Sequence, residues 1–342
     1  MLGQTRSVSG VARWPSLGLA LACAVLAGCG TVPLPPSGAG PDAPRVVTAP
    51  TVVPSLPPVV APVGGTAPST TTAPVAAPER RQARIGLALG GGAARGFAHV
   101  GVIQVLEEAG LRPNLVVGTS AGSLVAALYA SGKSPQELRR VAETMEEAEI
   151  TDWMLPILNR GALRGEALAR YVNSQVAGKH IEQMRIPLGI VATDLKSGNP
   201  VTFRLGNTGS AVRASSAVPA VFQPVRIGER EYVDGGLVAP VPVLQAREMG
   251  ANFVIAVDIS TDPEGSPSGD MFQILLQTFN IMGKSINTLA LKDAEFVVRP
   301  PLTGFKSADF TVRRRSIEAG RSAMQAQLPQ LRARIAAFEA GQ

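Results

Sequence analysis

The sequence has few of the residues on which many binding and catalytic sites depend. Its 342 residues include two cysteines, two histidines and two tryptophans, and aromatic residues make up 4% of the chain. Cys23 lies in an apolar N-terminal run that is expected to be removed as part of a secretory signal. Cys29 would then be the one remaining thiol, and a disulfide framework is excluded. Two histidines leave few ways to build a Ser-His-Asp triad or a zinc site. We therefore expect neither a metal ion nor a cofactor.

Strong positive charge is also lacking. The formal net charge is +6, and half of it lies before residue 83. The remaining excess is too small for a nucleic-acid footprint, and the aromatic residues are too few for base stacking. Arg313, Arg314 and Arg315 form a local basic run, which we interpret as the solvated start of a helix, with contact to anionic headgroups as the alternative. We expect no nucleic-acid partner.

Residues 1–28 have the pattern of a secretory signal. Arg6 and Arg13 precede an apolar run from Leu17 to Leu26 that is too short to span a bilayer as a stable helix. The run ends in Leu-Ala-Gly-Cys, which looks like the lipobox of bacterial lipoproteins. That resemblance implies cleavage before Cys29 and acylation of its thiol and new amino group. An ordinary signal peptide with a chance cysteine is the alternative.

Residues 29–82 are predicted to be the lipidated cysteine followed by a disordered tether. Between Thr31 and Pro78 the chain is rich in proline, alanine, threonine and valine and has no aromatic residue. Such a segment buries too little apolar surface to offset its ordering entropy. The tether would connect residues 83–342, a single folded domain, to a membrane of the bacterial envelope on its periplasmic side. Gly30, where aspartate would signal inner-membrane retention, favours the outer membrane.

A glycine-rich turn opens the folded region. The apolar segment Arg84 to Leu89 predicts a strand, Gly90 to Gly96 a turn, and Phe97 to Gly110 a helix with its stop. Backbone N–H groups at such a turn bind negative charge. The turn therefore fits either a dinucleotide pyrophosphate or the oxyanion of a tetrahedral acyl intermediate.

The next strand distinguishes these two functions. Asn114 to Gly132 predicts a buried strand, a sharp Gly-Thr-Ser-Ala-Gly turn carrying Ser120, and a helix. A dinucleotide site would have an acidic residue at the end of this strand. A serine beside a donor loop suits acyl transfer instead. A serine that merely caps the helix is the alternative.

Five segments then occur in a fixed order: LALGGGAARGFAHVGVI, VVGTSAGSLVAALYA, VATDLKSGNPVTF, RASSAVPAVFQPV and YVDGGLVAPVPV. Together they resemble bacterial patatin-like phospholipases, the group that includes the catalytic domain of neuropathy target esterase. The resemblance covers about Arg84 to Ala256. It implies an α/β fold, a three-layer α/β/α sandwich with a mainly parallel central sheet. It also implies a Ser-Asp dyad that hydrolyses acyl esters of phospholipids or lysophospholipids.

The resemblance assigns roles to individual residues. Ser120 is the nucleophile and Asp234 the proton acceptor, and the remaining roles fall to the oxyanion-hole residues Gly91, Gly92 and Ala93 and the nucleophile-elbow residues Gly118 and Gly122. The family usually has glycine where this chain has Ala93. Alanine resists positive φ, so an oxyanion hole that requires positive φ there would be distorted. Ala239 likewise stands where many relatives have asparagine.

Three side chains have alternative interpretations from the sequence alone. The stretch before Gly235 also reads as a strand that enters an Asp-Gly hairpin turn at Asp234. Arg95 either binds a headgroup phosphate or pairs with a carboxylate. His99, one turn into a helix, is expected to pack or hydrogen-bond rather than act as the base, and His180 is an even weaker candidate.

The remaining pattern alternates strands and helices, as in the α/β class. The predicted strands are 187–192, 201–205, 224–227 and 252–258, and the predicted helices are 134–149, 164–177, 271–293 and 315–338. We interpret the helix that begins at Met271 as a packing helix, with a lid or membrane-facing patch as the alternative. Two other functions stay open: a non-catalytic envelope lipoprotein that uses the fold for binding, and an acyltransferase.

Overall fold

The structure is a computed structural model that describes residues 81–146, 161–260, 271–305 and 310–341. The predicted signal, Cys29 and almost all of the tether lie outside these residues, as does the end of the helix predicted over 134–149. Within the described ranges, no helix is both long and apolar enough to cross a membrane. In the same ranges, no three His, Cys, Asp or Glu side chains are grouped so that they could hold a metal ion.

The described strands form one large sheet and one small one. Eight strands make the central sheet in the spatial order β10, β9, β1, β2, β4, β8 and β7, with β5 also paired to β4, while β3 and β6 form a separate pair. Their bounds are Ile85–Leu89 for β1, Leu115–Thr119 for β2, Gly161–Leu163 for β3, Leu188–Asp194 for β4, Pro200–Phe203 for β5, Ala220–Phe222 for β6, Val225–Ile227 for β7, Arg230–Asp234 for β8, Phe253–Val257 for β9 and Phe296–Val298 for β10.

The central sheet is mainly parallel, which confirms the predicted fold class. Strands β10, β9, β1, β2 and β4 run in one direction, and β5 and β8 are antiparallel to β4. The carboxyl ends of β1 and β2 therefore meet at one edge. The glycine-rich turn follows β1 and Ser120 follows β2, so the topology places both at that edge.

Helices cover both faces of the sheet. Their bounds are Phe97–Glu108 for α1, Ala121–Ala130 for α2, Pro135–Thr144 for α3, Glu166–Gln175 for α4, Thr208–Ser215 for α5, Val243–Glu248 for α6, Met271–Ala290 for α7 and Arg313–Glu339 for α8. Alternate side chains of β1 enter two separate cores: Leu87 and Leu89 join the core under α1 and α8, and Ala88 joins the core under α6. Because strand side chains alternate between faces, this division makes the three-layer sandwich.

Every strand and helix predicted by its apolar pattern is present, with bounds that differ by a few residues. The short elements α5, α6, β3, β6 and β10 were not predicted, since three to eight residues give little periodicity. The helix α8 continues through Pro329.

The basic run at the start of α8 makes loose contacts with other parts of the chain. Arg313 and Arg314 lie 3.7 Å and 3.9 Å from Glu146 and Glu143. The guanidinium of Arg315 lies 4.9 Å from the centre of the Phe305 ring. Arg314 nonetheless remains 81% exposed, and α8 begins at Arg313, so the run is the solvated start of a helix.

Candidate active site

Ser120 is the single residue between strand β2 and helix α2. Strand β2 ends at Thr119, α2 begins at Ala121, and Ser120 has φ 52° and ψ −124°. Positive φ is strained for a residue with a Cβ. The side chain of Ser120 makes no capping hydrogen bond to α2, so the interpretation of this serine as a simple helix cap is wrong. Its hydroxyl is left available for another partner.

Neighbouring side chains hold the strained backbone of Ser120. Its N–H donates to Ser215 Oγ at 2.9 Å, and Ser215 Oγ in turn donates to Val191 O at 2.5 Å. Its carbonyl accepts a hydrogen bond from Ser123 Oγ at 2.6 Å. The surrounding fold therefore stabilises a conformation that the local chain disfavours.

The two glycines of the turn permit a close approach of strand and helix. A Cβ on Gly118 would lie 2.4 Å from Gly122 O, and a Cβ on Gly122 would lie 2.2 Å from Leu89 O. Both distances are far below van der Waals contact, so any side chain at either position would push α2 off the sheet. These glycines are required for packing.

Strand β4 brings Asp234 close to Ser120, because it pairs with β2 on one side and with β8 on the other. The last residue of β2, Thr119, pairs with Val191, and Asp234 pairs with the next residue, Ala192. The strands β2 and β8 therefore flank β4 and end side by side. The Asp234 N–H donates to Ala217 O at 2.9 Å, and its carbonyl accepts from Thr193 Oγ1 at 2.8 Å.

The chain after Asp234 does not form a hairpin. Strand β8 ends at Asp234 and a 3-10 turn follows over Gly235–Leu237. Asp234 Oδ1 accepts the Gly236 N–H at 2.7 Å. This hydrogen bond fixes the carboxylate at the strand end, and the hairpin interpretation of this aspartate is wrong.

The carboxyl group of Asp234 is buried and its proton affinity is raised. The residue is 1% exposed, and burial raises its pKa to about 6, against the smaller opposing effects of the Ser120 hydroxyl and the Gly236 N–H. Among the described residues Oδ2 has no hydrogen-bond partner of standard geometry. The Ser120 hydroxyl is nonetheless close enough to lower the pKa of the carboxyl. Ser120 and Asp234, far apart in the sequence, are neighbours in the fold.

Gly91 is not a free hydrogen-bond donor, which corrects its predicted place among the oxyanion-hole donors. Its N–H donates to Pro240 O at 2.9 Å. The absence of a side chain matters instead, because a Cβ on Gly91 would lie 3.2 Å from the Cβ of Ser120. Gly91 leaves space for the serine.

The backbone N–H groups of Gly92 and Ala93, in the glycine-rich turn, are available as hydrogen-bond donors. These two residues begin a 3-10 turn over Ala93–Gly96, whose first N–H groups have no partner inside the turn. Among the described residues no hydrogen bond involves the N–H of Gly92 or Ala93. Ala93 has φ 50°, so the position does take the positive φ that alanine resists.

The glycine-rich turn, Ser120 and Asp234 line one cavity of about 180 Å³. The loop residues, Ser120 and Asp234 form one wall, and helix α7 forms another. The lining residues are Gly91, Gly92, Ala93, Arg95, Ser120, Val218, Asp234, Gly236, Pro240, Ser260, Phe279, Asn280, Gly283, Lys284 and Asn287.

The sequence predicts that Arg95 either binds a headgroup phosphate or pairs with a carboxylate, and its surroundings are compatible with both. It lines the cavity and is 6% exposed. Burial lowers its pKa, and the charge of Asp258 raises it. Asp258 also pairs with Arg299, with Nε 3.2 Å from Oδ2. Arg95 is thus a buried cation at the cavity wall, near a carboxylate.

Residues 87–247 match the family model of patatin-like phospholipases. This part of the chain is a patatin-like phospholipase domain. An uncharacterized NTE family protein of Mycobacterium tuberculosis is 34% identical over 207 residues, which are 60% of this chain and 57% of that protein. Patatin-like phospholipase domain-containing protein 6 of Homo sapiens is 34% identical over 187 residues, 53% of this chain and 14% of that protein. The chain therefore spans somewhat over half the length of the mycobacterial relative.

Two solved structures are similar at low identity. VipD from Legionella pneumophila is 15% identical with a TM-score of 0.49, covering 73% of this chain and 67% of that one. The type III effector protein ExoU is 17% identical with a TM-score of 0.43, covering 75% of this chain and 54% of that one.

The two histidines of the patatin-like domain lie outside the cavity that contains Ser120. His99 is fully buried, and its Nε2 donates to Gly90 O at 2.8 Å. Burial lowers the pKa of His99 to about 4, so the ring is neutral at pH 7. His180 lies on the loop before Ile181, with Nδ1 3.6 Å from Glu182 Oε1. Neither histidine lines the cavity that contains Ser120.

Residues outside the predicted set hold the patatin-like site together. Thr119 Oγ1 donates to Ala239 O at 2.8 Å, and Asn287 Oδ1 accepts the Val241 N–H at 3.1 Å. With the bond from Gly91 to Pro240, the segment 239–241 joins the serine turn, the glycine loop and α7. Ala239 contributes a carbonyl, which any residue supplies. Asn287 was not identified because a single asparagine in an apolar helix carries no motif.

Proposed function

We propose that the protein is a serine hydrolase that cleaves acyl esters of phospholipids or lysophospholipids. The observation that supports this most is that Ser120, the buried Asp234 carboxyl, Gly92 and Ala93 line one cavity, with the Ser120 hydroxyl close enough to lower the pKa of that carboxyl. Nucleophile, base and donors are the three components that acyl transfer needs. The patatin-like domain supports lipid esters as the substrate class.

Acylation follows from this arrangement. Ser120 Oγ attacks the ester carbonyl carbon as its proton passes to Asp234, and the carbonyl oxygen becomes an oxyanion. The N–H groups of Gly92 and Ala93 donate to that oxygen. The tetrahedral intermediate then expels the alcohol, which takes the proton back from Asp234. The acyl group remains on Ser120.

Deacylation reverses the roles. Asp234 removes a proton from water, the hydroxide attacks the acyl carbonyl, and the fatty acid leaves as Ser120 Oγ regains the proton. A carboxylate with an ordinary pKa near 4 is a weak base for these steps. The pKa of about 6 caused by burial brings Asp234 closer to neutral pH, where a general base is most effective.

Paired substitutions test this proposal. We expect Ser120→Ala and Asp234→Asn each to abolish hydrolysis of a soluble p-nitrophenyl ester and of lysophosphatidylcholine, with circular dichroism unchanged. His99→Gln is the matched control, because glutamine can still donate to Gly90 O and the proposed mechanism does not use the imidazole. Retained turnover in either of the first two variants, or its loss in folded His99→Gln, would refute the assignment.

A second candidate function rests on Ala93. An alanine strained at the oxyanion position is compatible with a domain that binds lipid without turning it over. A fluorophosphonate probe separates the two functions, because covalent labelling of Ser120 requires an activated serine. Folded protein that stays unlabelled would support the binding module. Product analysis with an added alcohol acceptor separates hydrolysis from acyl transfer.

We also propose a lipid anchor at Cys29, supported by the Leu-Ala-Gly-Cys sequence. Acylation there would place the domain in the cell envelope, with the outer membrane favoured by Gly30. Metabolic labelling with palmitate followed by membrane fractionation tests this, with Cys29→Ser as the control. Equal label in both forms would exclude Cys29 as the acylation site.

A further inference from the structure

Helix α7 has two opposite faces with different surroundings. One face lines the cavity through Phe279, Gly283 and Asn287. The other face, called here the outer face of α7, consists of Ile274, Thr278, Ile281, Met282, Ser285 and Leu289. At about 100° per residue these six positions fall within an arc of about 100°, directly opposite the cavity side.

The outer face of α7 exposes large apolar side chains. Ile274 is 58% exposed, Ile281 50%, Met282 48% and Leu289 67%. Single exposed apolar residues are ordinary, but four on one helical stripe form a contiguous apolar patch. Such patches mark sites of interaction with a protein, a membrane or a ligand. No part of the described chain covers it.

The two hydroxyl groups of the outer face donate hydrogen bonds to the backbone of α7 itself. Thr278 Oγ1 donates to Ile274 O at 2.9 Å, and Ser285 Oγ donates to Ile281 O at 3.3 Å. Each hydroxyl hydrogen is therefore used within the helix. The face offers surrounding molecules little but apolar surface, which suits a medium that supplies few hydrogen-bond acceptors.

The charge on α7 is of one sign. Among its twenty residues there is no aspartate or glutamate, and Lys284 is the one charged side chain. Lys284 lines the cavity, and on the helical wheel it lies about 60° from Ile281, the nearest position of the outer face. A basic side chain flanking an apolar stripe complements the phosphates that lie just above the acyl chains of a bilayer.

We propose that the outer face of α7 docks on the surface of a phospholipid bilayer. The helix would lie in the interface plane, with the apolar stripe among the acyl chains and Lys284 among the phosphates. The cavity with Ser120 lies directly behind this helix, so a docked domain would receive lipid at the edge of α7. This inference rests on the proposed lipid-ester hydrolase function, because it explains how a membrane substrate reaches the serine.

The test compares vesicle binding with catalysis in solution. All forms are the full chain with Cys29→Ser, so that an acyl anchor cannot hide the contribution of α7. Vesicles of phosphatidylcholine and phosphatidylglycerol are sedimented with the protein, and turnover of p-nitrophenyl butyrate is measured separately. The variant carries Ile281→Gln, Met282→Gln and Leu289→Gln. The matched control is Leu195→Gln, an apolar residue that is 42% exposed and does not line the cavity.

We expect the triple variant to lose vesicle affinity by about 10- to 100-fold, since three roughly half-exposed side chains no longer enter the bilayer. Leu195→Gln should bind as the parent does. Both should hydrolyse the soluble ester at the parental rate. Equal vesicle binding by the triple variant and its parent would overturn the proposal.

Two other results have separate meanings. A parent that is dimeric without vesicles, and a triple variant that is monomeric, would assign the outer face to a second copy of the chain and overturn bilayer docking. A parent that binds vesicles through α7 but does not hydrolyse the soluble ester would support docking and contradict the hydrolase. The two proposals can therefore fail independently.

Discussion

Replacing Asp234 by asparagine should stabilise the fold while it removes activity. Burial raises the pKa of this carboxyl from 3.8 to about 6. One pKa unit corresponds to about 1.4 kcal/mol, so the ionised carboxylate costs the folded state about 3 kcal/mol. The asparagine side chain would carry no charge, and its oxygen could still accept the Gly236 N–H.

The sign of the effect depends on pH. Below the unfolded pKa of 3.8 the carboxyl is protonated in both states and the cost is absent. The cost grows as pH rises above that value and is complete above the folded pKa of about 6. We therefore expect Asp234→Asn to exceed the parent by up to about 3 kcal/mol at pH 8 and to match it near pH 4.

Urea unfolding followed by far-ultraviolet circular dichroism at several pH values measures this difference. Asp194→Asn is the matched control, because hydrogen bonds from the Ser197 backbone and Arg230 lower the pKa of that buried carboxyl. Its substitution should destabilise the protein at pH 8. If Asp234→Asn gave no gain at pH 8, or a gain independent of pH, the carboxylate would not be desolvated as described.

The pH profile of activity should show the same carboxyl: kcat/KM for a soluble ester falls about tenfold from pH 7 to pH 5 as Asp234 takes up a proton, and a flat profile would contradict this. Ala93→Gly should raise the free energy of unfolding by about 1 kcal/mol, because glycine adopts φ 50° without strain. Urea titration measures this, and a loss of stability would show that Ala93 is not strained. Gly91→Ala should slow fluorophosphonate labelling of Ser120 by about tenfold or more, because the new Cβ would lie 3.2 Å from the serine Cβ. Parental labelling would show that the serine tolerates it.

Local pattern was sufficient to predict the elements of the fold. Strands β1 and β2 and helices α1 and α2 follow from apolar periodicity and glycine punctuation, which act over neighbouring residues. The strand-turn-helix around Ser120 and the glycine turn were visible for the same reason. The shortest elements were missed because they contain too few residues for a period.

Long-range contacts were beyond the sequence. Nothing local shows that the Gly91 N–H is engaged by Pro240, or that Thr119 donates to Ala239. The apolar residues of Met271–Ala290 predicted a packing helix, whereas the structure buries one face and exposes the other. Which side of a helix meets a neighbour depends on the placement of elements that are distant in the chain.

The amino-acid order by itself determined the α/β class, the exposed serine turn and the donor loop, because backbone preference and side-chain period are properties of short segments. The tertiary structure alone decided that Asp234 lies beside Ser120, through the pairing of β2 and β8 with consecutive residues of β4. It also decided the pKa of that carboxyl, since desolvation comes from all the atoms packed around it. The proposed role of this carboxyl group as a base depends on that burial, which no short segment can specify.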